Sequence, residues 1–243
     1  MRFVTNHVQR RTEMRLSCQR FLLLGVLGIA SCATTKPSID IAEQTTLANA
    51  GDPVAQNKLG IAYDAGIGTQ RDMAKAVMWY RKSAEQGNAD AQNSMGSLYQ
   101  SGDGVPKDST QAVYWYQKAA AQGHTVAQNS LAIRYLMGQG VDKDAAKALY
   151  WYEEAAKGGN FEAMRNLGEI YASGRGVDRN SKEAYKWFDL ARFYTQFSRD
   201  MNLKWGVRGQ LEKLTKEMTK SEIAEAKQLA NEWSKKYGQG KSN

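Results

Sequence analysis

Few side chains of this chain have the chemistry that catalysis or metal binding requires. Its 243 residues include two histidines and two cysteines, but His124 is the single one of the four beyond residue 32, which excludes a His/Cys zinc site in the rest of the chain. Cys18 and Cys32 both precede the bulk of the sequence, and His124 has no nucleophile at a regular spacing beside it. Glu153 and Glu154 fall on the exposed side of a predicted helix, which favours solvated carboxylates over an acid–base pair. We therefore expect no enzymatic activity, no metal and no cofactor.

A column of side-chain amides has the chemistry of recognition instead. Asn57, Asn93 and Asn129 are 36 residues apart, and Arg165 continues the spacing. Because an amide both donates and accepts hydrogen bonds, such a column could bind the backbone of an extended peptide. We treat the asparagines as surface groups, whose replacement by alanine would leave the fold nearly unchanged; the alternative is a solvated groove in which they have no role. Two further columns are predicted beside them: Ile61, Ser97, Ile133 and Glu169, and Asp64, Gln100, Leu136 and Ala172.

These residues belong to a pattern that recurs four times with a period of 36 residues. The columns that keep this period are an alanine (Ala55, Ala91, Ala127, Ala163), a tyrosine (Tyr63, Tyr99, Tyr135, Tyr171), a tryptophan (Trp79, Trp115, Trp151, Trp187) and glycine pairs that begin at Gly66, Gly102, Gly138 and Gly174. A fixed period of this length indicates stacked supersecondary units, each too small to bury its apolar face alone.

Each unit is predicted to be a helix, a glycine loop, a second helix and a glycine turn. In the first unit Leu59 and Tyr63 lie on one helical stripe, and Gly66 can adopt the left-handed conformation that ends a helix. Asp72 is placed to cap the second helix, which stops at Gly87.

Three glycines lie within the first helices, where each costs roughly 1 kcal/mol relative to alanine. They are Gly60, Gly96 and Gly168, and the third unit has Ala132 instead. We interpret these positions as sites where an aromatic ring lies against the helix backbone. The tryptophan column is then part of the core rather than a cofactor site.

These columns resemble the Sel1-like repeat, a relative of the tetratricopeptide repeat. The resemblance rests on Ala91-Gln92 through Leu98-Tyr99, on the loop Gly102-Asp103-Gly104-Val105 and on Ala112-Val113-Tyr114-Trp115-Tyr116. It implies an all-α fold, a right-handed α-solenoid of four Sel1-like helix-turn-helix repeats with helical caps. We place the repeats at residues 51–87, 88–123, 124–159 and 160–193.

A solenoid needs caps, since a terminal unit would otherwise expose an apolar face. Residues 32–50 are predicted to be a tether and an N-terminal capping helix, and residues 194–236 a C-terminal helical cap. Within the latter, Thr219 and Glu222 have the spacing of a capping box. Residues 237–243 are predicted to be a flexible tail.

Residues 1–31 resemble the signal peptide of a bacterial lipoprotein. Arg15 and Arg20 precede an apolar run that is too short to span a membrane comfortably, and Ile29-Ala30-Ser31-Cys32 resembles a lipobox. The resemblance implies cleavage before Cys32 and lipidation of that residue, which would anchor the chain to a membrane. Ala33, in place of an aspartate, implies the outer membrane and a periplasm-facing domain. The alternative is an ordinary signal peptide with an incidental cysteine.

The formal net charge of +8 does not indicate a nucleic-acid partner. Residues 1–31 carry five arginines and one glutamate, so the charge of the remaining chain falls to +4. Residues 32–192 are neutral, with 18 basic and 18 acidic side chains, and no concentrated basic stripe survives. We expect a non-enzymatic scaffold or adaptor that binds an envelope protein or peptide. The alternative is a cell-envelope hydrolase acting on peptidoglycan or β-lactams.

Overall fold

Eleven helices and no strands make up residues 39–195 and 201–238, the part of the chain that the structure, a computed structural model, describes. Side chains are described throughout this part except at 201–205. The helices are α1 (Ile41–Asn49), α2 (Pro53–Ala65), α3 (Met73–Glu85), α4 (Ala89–Ser101), α5 (Ser109–Ala121), α6 (Thr125–Met137), α7 (Ala145–Lys157), α8 (Phe161–Ser173), α9 (Ser181–Thr195), α10 (Met201–Thr215) and α11 (Lys220–Tyr237). The predicted signal peptide, Cys32 and residues 239–243 of the predicted tail lie outside the described residues.

From α1 to α9, each helix packs against the next one along the chain. We call α2, α4, α6 and α8 the first helices, and α3, α5, α7 and α9 the second helices, of units 1 to 4. The first helices of units 1 and 2 also contact each other. At one end α1 packs against α2, and at the other α10 and α11 both pack against α9. The prediction of an all-α repeat solenoid with helical caps is confirmed.

Side-chain caps and left-handed glycines place the helix ends at equivalent positions in every unit. Second helices begin where the carboxylates of Asp72, Asp108 and Asp144 accept hydrogen bonds from backbone N–H groups of the first turn. First helices end at glycines with φ between 67° and 88°, a conformation that favours glycine: Gly66, Gly102, Gly138 and Gly174. In α11 the predicted capping box is present, formed by Thr219 and Glu222.

The glycines within the first helices lie against aromatic rings, as predicted. A Cβ atom built on these glycines would come within 2.5–2.7 Å of a ring carbon, in the pairs Gly60–Tyr80, Gly96–Tyr116 and Gly168–Phe188. Since real side chains do not approach so closely, only glycine permits this packing. The tryptophan column is buried at Trp79, Trp115 and Trp187, and Trp151 is half-buried.

A ladder of buried glutamines, which was not predicted from the sequence, joins successive units. The Nε2 atoms of Gln56, Gln92 and Gln128 donate to the carbonyl oxygens of Ala48, Ala84 and Ala120 at 3.0–3.1 Å. Gln86 and Gln122 donate in turn to the Oε1 atoms of Gln56 and Gln92, each at 2.7 Å. The signal that could have revealed the ladder is a glutamine directly after the repeated alanine in three units.

Candidate functional site

The asparagine column lies between adjacent first helices rather than on an open surface. Asn57 and Asn129 are 7% and 5% exposed, and Asn93 is half-buried. The Oδ1 atom of Asn129 accepts a hydrogen bond from Nδ2 of Asn166 on the next first helix at 3.0 Å. Among the described residues, none hydrogen-bonds the buried Oδ1 atoms of Asn57 and Asn93. The expectation of surface amides is therefore wrong for Asn57 and Asn129, and their part in binding a partner stays a prediction.

The two columns beside the asparagines contribute to a cavity of about 180 Å³ between the first helices of units 3 and 4. Its walls are formed by three residues of α6 (Ile133, Leu136, Met137), by three of α8 (Asn166, Glu169, Ile170), by Tyr152 of α7 and by Arg175 in the loop after α8. We call the surface on which it opens the first-helix face, defined by Ile61, Asp64, Ser97, Gln100, Ile133, Leu136 and Glu169. Three residues of the two predicted columns, Ile133, Leu136 and Glu169, thus line one cavity.

Two departures from the repeat explain why the cavity lies in unit 3. In unit 2 the hydroxyl of Tyr116 donates to Oε1 of Gln100 at 2.8 Å, whereas Leu136 replaces that glutamine in unit 3 and cannot accept a hydrogen bond. Unit 3 also has Ala132 in place of the glycine that admits close ring contact, so the ring of Tyr152 must lie farther from its first helix. Tyr152 is 2% exposed, and no residue in the described part of the chain hydrogen-bonds its hydroxyl.

Arginine and glutamate side chains act on this tyrosine in opposite directions. Arg165, which was predicted to bind a partner, lies 3.4 Å from Glu169, measured between Nη1 and Oε1. Arg175 is exposed, and its guanidinium forms no ion pair or hydrogen bond with any described residue. Burial raises the pKa of Tyr152 to about 12; the Glu169 carboxylate adds to the rise, and Arg134, Arg175 and Arg165 oppose it.

A second space, of about 630 Å³, opens where the glutamine ladder is interrupted. Unit 3 has Gly158 at the position of Gln86 and Gln122, so Oε1 of Gln128 is buried without a hydrogen-bond partner among the described residues. A Cβ atom on Gly158 would lie 2.2 Å from Cγ2 of Thr125. Thr125 thus fills the position of the missing Cβ atom, while the amide that would reach Gln128 is absent.

The side chains that were considered for acid–base chemistry have structural contacts. The Nδ1 atom of His124 accepts from the N–H of Ala127 at 3.1 Å and caps α6, while Nε2 lies 3.2 Å from Oδ1 of Asp90. The expectation of solvated carboxylates at Glu153 and Glu154 is wrong, since both are half-buried and burial raises the pKa of Glu153. Within the described ranges no group of three or more His, Cys, Asp or Glu residues could hold a metal ion. None of the described helices has the length and hydrophobicity to cross a membrane.

Known structures with the same architecture include a Sel1 repeat protein from Oxalobacter formigenes, with 30% identity and a TM-score of 0.59 over 71% of this chain and 78% of that chain. Another is c5321, a protective antigen of uropathogenic Escherichia coli with an SLR fold, at 32% identity and a TM-score of 0.51. The match covers 81% of this chain but 48% of c5321, so this chain spans about half of its length. A putative Sel1 repeat protein from Klebsiella pneumoniae shares the fold at 22% identity, with a TM-score of 0.51 over 78% of this chain and 99% of that chain.

The sequence itself matches the Sel1 repeat in four consecutive segments, residues 53–88, 89–124, 125–160 and 161–192. No match to this chain is found among the curated proteins. Each matched segment holds one first helix and one second helix, except that the second helix of unit 4 continues past the fourth segment to Thr195, so sequence and structure agree on the repeating unit. Because the four segments cover more than half of the sequence, the chain belongs to the Sel1 repeat family.

Proposed function

We propose that the protein is a lipid-anchored adaptor of the bacterial cell envelope, which binds a partner protein or peptide on its first-helix face. Sel1 repeats generally mediate protein–protein interactions, and the matches give no support to the hydrolase alternative. The anchor is proposed from Cys32 and the lipobox-like residues before it, which lie outside the described part. It would hold the solenoid at the periplasmic side of the outer membrane.

The cavity between α6 and α8 is the observation that carries this proposal. In units 1 and 2 the corresponding tyrosines lie beside polar side chains of their own first helices, Asp64 and Gln100. Unit 3 instead leaves a mostly apolar cavity with a few polar groups, which is the usual composition of a binding site. Exposed apolar side chains continue the surface, since Ile61 is 39% and Met137 54% exposed.

Site-specific photo-crosslinking in intact cells tests the proposal. A benzophenone amino acid placed at Ile61 or Ser97 samples the first-helix face, and the same probe at Tyr114 or Tyr150 samples exposed positions on second helices. We expect a discrete crosslinked partner from the first pair of positions and none from the second pair. The same product from all four positions, or from the second helices alone, would exclude the first-helix face as the binding surface.

A further inference from the structure

We propose that the cavity between α6 and α8 binds the side chain of a glutamate in an extended segment of the partner protein. This inference rests on the proposed adaptor function and adds the chemistry of the residue that the partner presents. Three features of the cavity carry it: its size, its unpartnered hydroxyl and the unpaired guanidinium of Arg175 on its wall.

The size of the cavity fits one side chain. A volume of about 180 Å³ is too small for a drug-sized ligand, whose sites span about 300–1,000 Å³. It is close to the roughly 150 Å³ of an apolar cavity that holds one benzene molecule. An extended segment lying on the first-helix face would therefore insert a single residue here. The apolar walls formed by Ile133, Leu136 and Ile170 suit the methylene groups of a glutamate.

The hydroxyl of Tyr152 argues against a purely aliphatic side chain. Tyr152 is 2% exposed and lines the cavity, and its hydroxyl has no hydrogen-bond partner among the residues described. An aliphatic occupant would exclude water and leave this donor unsatisfied, which is costly for a buried polar group. A carboxylate accepts a hydrogen bond from the hydroxyl, and the neighbouring Leu136 cannot compete for it.

The charge around the cavity favours glutamate over glutamine. Glu169 and Arg175 line the cavity, and Arg134, Arg165 and Arg175 all oppose the electrostatic effect of Glu169 on Tyr152. Arg165 is paired with Glu169, but the guanidinium of Arg175 has no partner among the described side chains. Hydrogen bonds to a carboxylate from charged donors are about twice as strong as neutral ones. The same positive charge disfavours a lysine or arginine of the partner.

Three blocked tripeptides test the chemistry directly: acetylated and amidated Ala-Glu-Ala, Ala-Gln-Ala and Ala-Leu-Ala, each titrated into the full chain and followed by NMR chemical shifts. We expect Ala-Glu-Ala to bind with a Kd at least about tenfold lower than Ala-Gln-Ala, because hydrogen bonds to a charged group are the stronger ones. Equal binding of the three peptides, or tightest binding of Ala-Leu-Ala, would overturn the proposal.

Variants locate the binding to this cavity. Tyr152→Phe keeps the packing, since Phe188 occupies the same position in unit 4. We expect Tyr152→Phe and Arg175→Gln each to weaken Ala-Glu-Ala binding by at least about threefold. Leu136→Gln should reproduce in unit 3 the hydrogen bond between Tyr116 and Gln100 of unit 2. The Tyr152 hydroxyl then donates to the new glutamine, and the preference for glutamate should be lost.

Two matched controls accompany these variants, and thermal melts establish that each variant is folded. Tyr116→Phe removes a hydroxyl that is already bonded within unit 2, and Lys107→Gln removes an exposed charge in the loop of unit 2. Neither change should alter the peptide affinity. An unchanged preference for glutamate in folded Tyr152→Phe and Leu136→Gln would exclude this cavity as the site.

The photo-crosslinks from Ile61 and Ser97 separate this inference from the adaptor function. Crosslinks that persist while the tripeptides show no preference would overturn the glutamate assignment and leave the adaptor function standing. A clear preference for Ala-Glu-Ala without any crosslinked partner would overturn the adaptor function and leave the chemistry of the cavity standing.

Discussion

Tyr116 can lie against the backbone of α4 because Gly96 has no side chain there. A Cβ atom on Gly96 would meet ring carbons at 2.7 Å, and Tyr116 is itself 2% exposed, so the ring has little room to move. In the fourth unit Gly168 and Phe188 repeat the arrangement without a hydroxyl. The contact therefore depends on the ring and the missing methyl group, and not on a hydrogen bond.

Gly96→Ala should therefore destabilise the fold although alanine favours helices. Overpacking typically costs about 1–3 kcal/mol, which exceeds the gain of up to about 1 kcal/mol in helix propensity. At about 2–4 °C per kcal/mol for a chain of this size, the melting temperature should fall by several degrees. Gly209→Ala in α10 is the control, because no atom lies within 4 Å of its Cβ position and the change should be neutral or stabilising. Equal melting temperatures for the two variants would contradict the packing argument.

The raised pKa of Tyr152 predicts a loss of stability in alkali. The folded chain holds the pKa of this hydroxyl at about 12, above the usual tyrosine pKa of about 10, so below pH 10 both states keep the proton and the contribution to stability is complete. As the pH rises from about 10 to 12, the unfolded chain ionises first, and this group lowers the free energy of unfolding by about 1.4 kcal/mol per pH unit. In Tyr152→Phe the fall in the free energy of unfolding per pH unit should be smaller by that amount. Urea unfolding at several pH values measures it. An unchanged slope would show that the hydroxyl is solvated.

At the scale of the helices, the sequence predicted what repeats and missed what joins one unit to the next. The period, the caps at Asp72 and its equivalents, and the mid-helix glycines are local signals, because each depends on backbone conformation or on the packing within one unit. The buried glutamine ladder and the burial of Asn57 and Asn129 depend on how far apart adjacent units lie. A polar residue at a regular spacing is consistent with a solvated face or with a buried inter-unit bond. The spacing between units, which the sequence does not contain, decides between them.

The interrupted ladder gives a prediction at this scale. Gly158 has φ −81° and ψ 6°, close to the −88° and 3° of Gln122, so its backbone accepts a glutamine without strain. Thr125 occupies the space that a Cβ atom would need, whereas unit 2 has Ala89 there. The double change Thr125→Ala with Gly158→Gln should restore the bond to Gln128 and stabilise the fold by about 0.5–1.5 kcal/mol.

The corresponding single change provides the control for the ladder. Gly158→Gln alone must displace the Thr125 side chain, so it should melt below the double variant by circular dichroism. A double variant no more stable than the parent would indicate that the Oε1 atom of Gln128 already has a partner, such as an ordered water molecule.

For the whole molecule, the departures from the repeat that shape the two cavities lie in unit 3. Compared with units 1 and 2, Ala132 replaces a glycine, Leu136 replaces a polar residue and Gly158 replaces a glutamine. His124 replaces the aspartate or asparagine that caps the first helix of those units. In a solenoid each unit contacts mainly its neighbours, so such changes leave the rest of the stack intact. Unit 3 can therefore hold a cavity while units 1 and 2 keep the packing that stabilises the fold.

The position of that cavity relative to a membrane depends on the proposed anchor. Lipidation of Cys32 would attach the chain to the bilayer, and we expect Cys32→Ser to abolish palmitate labelling and to release the protein into the soluble fraction. The physical reason is that one acyl chain binds a bilayer only marginally, whereas two or more give stable anchoring. Cys18→Ser is the matched control, since Cys18 lies within the predicted signal peptide and its loss should leave both labelling and membrane association unchanged. Labelling that survives in Cys32→Ser would refute the lipoprotein assignment, and release of both variants would point to a defect in export rather than in lipidation.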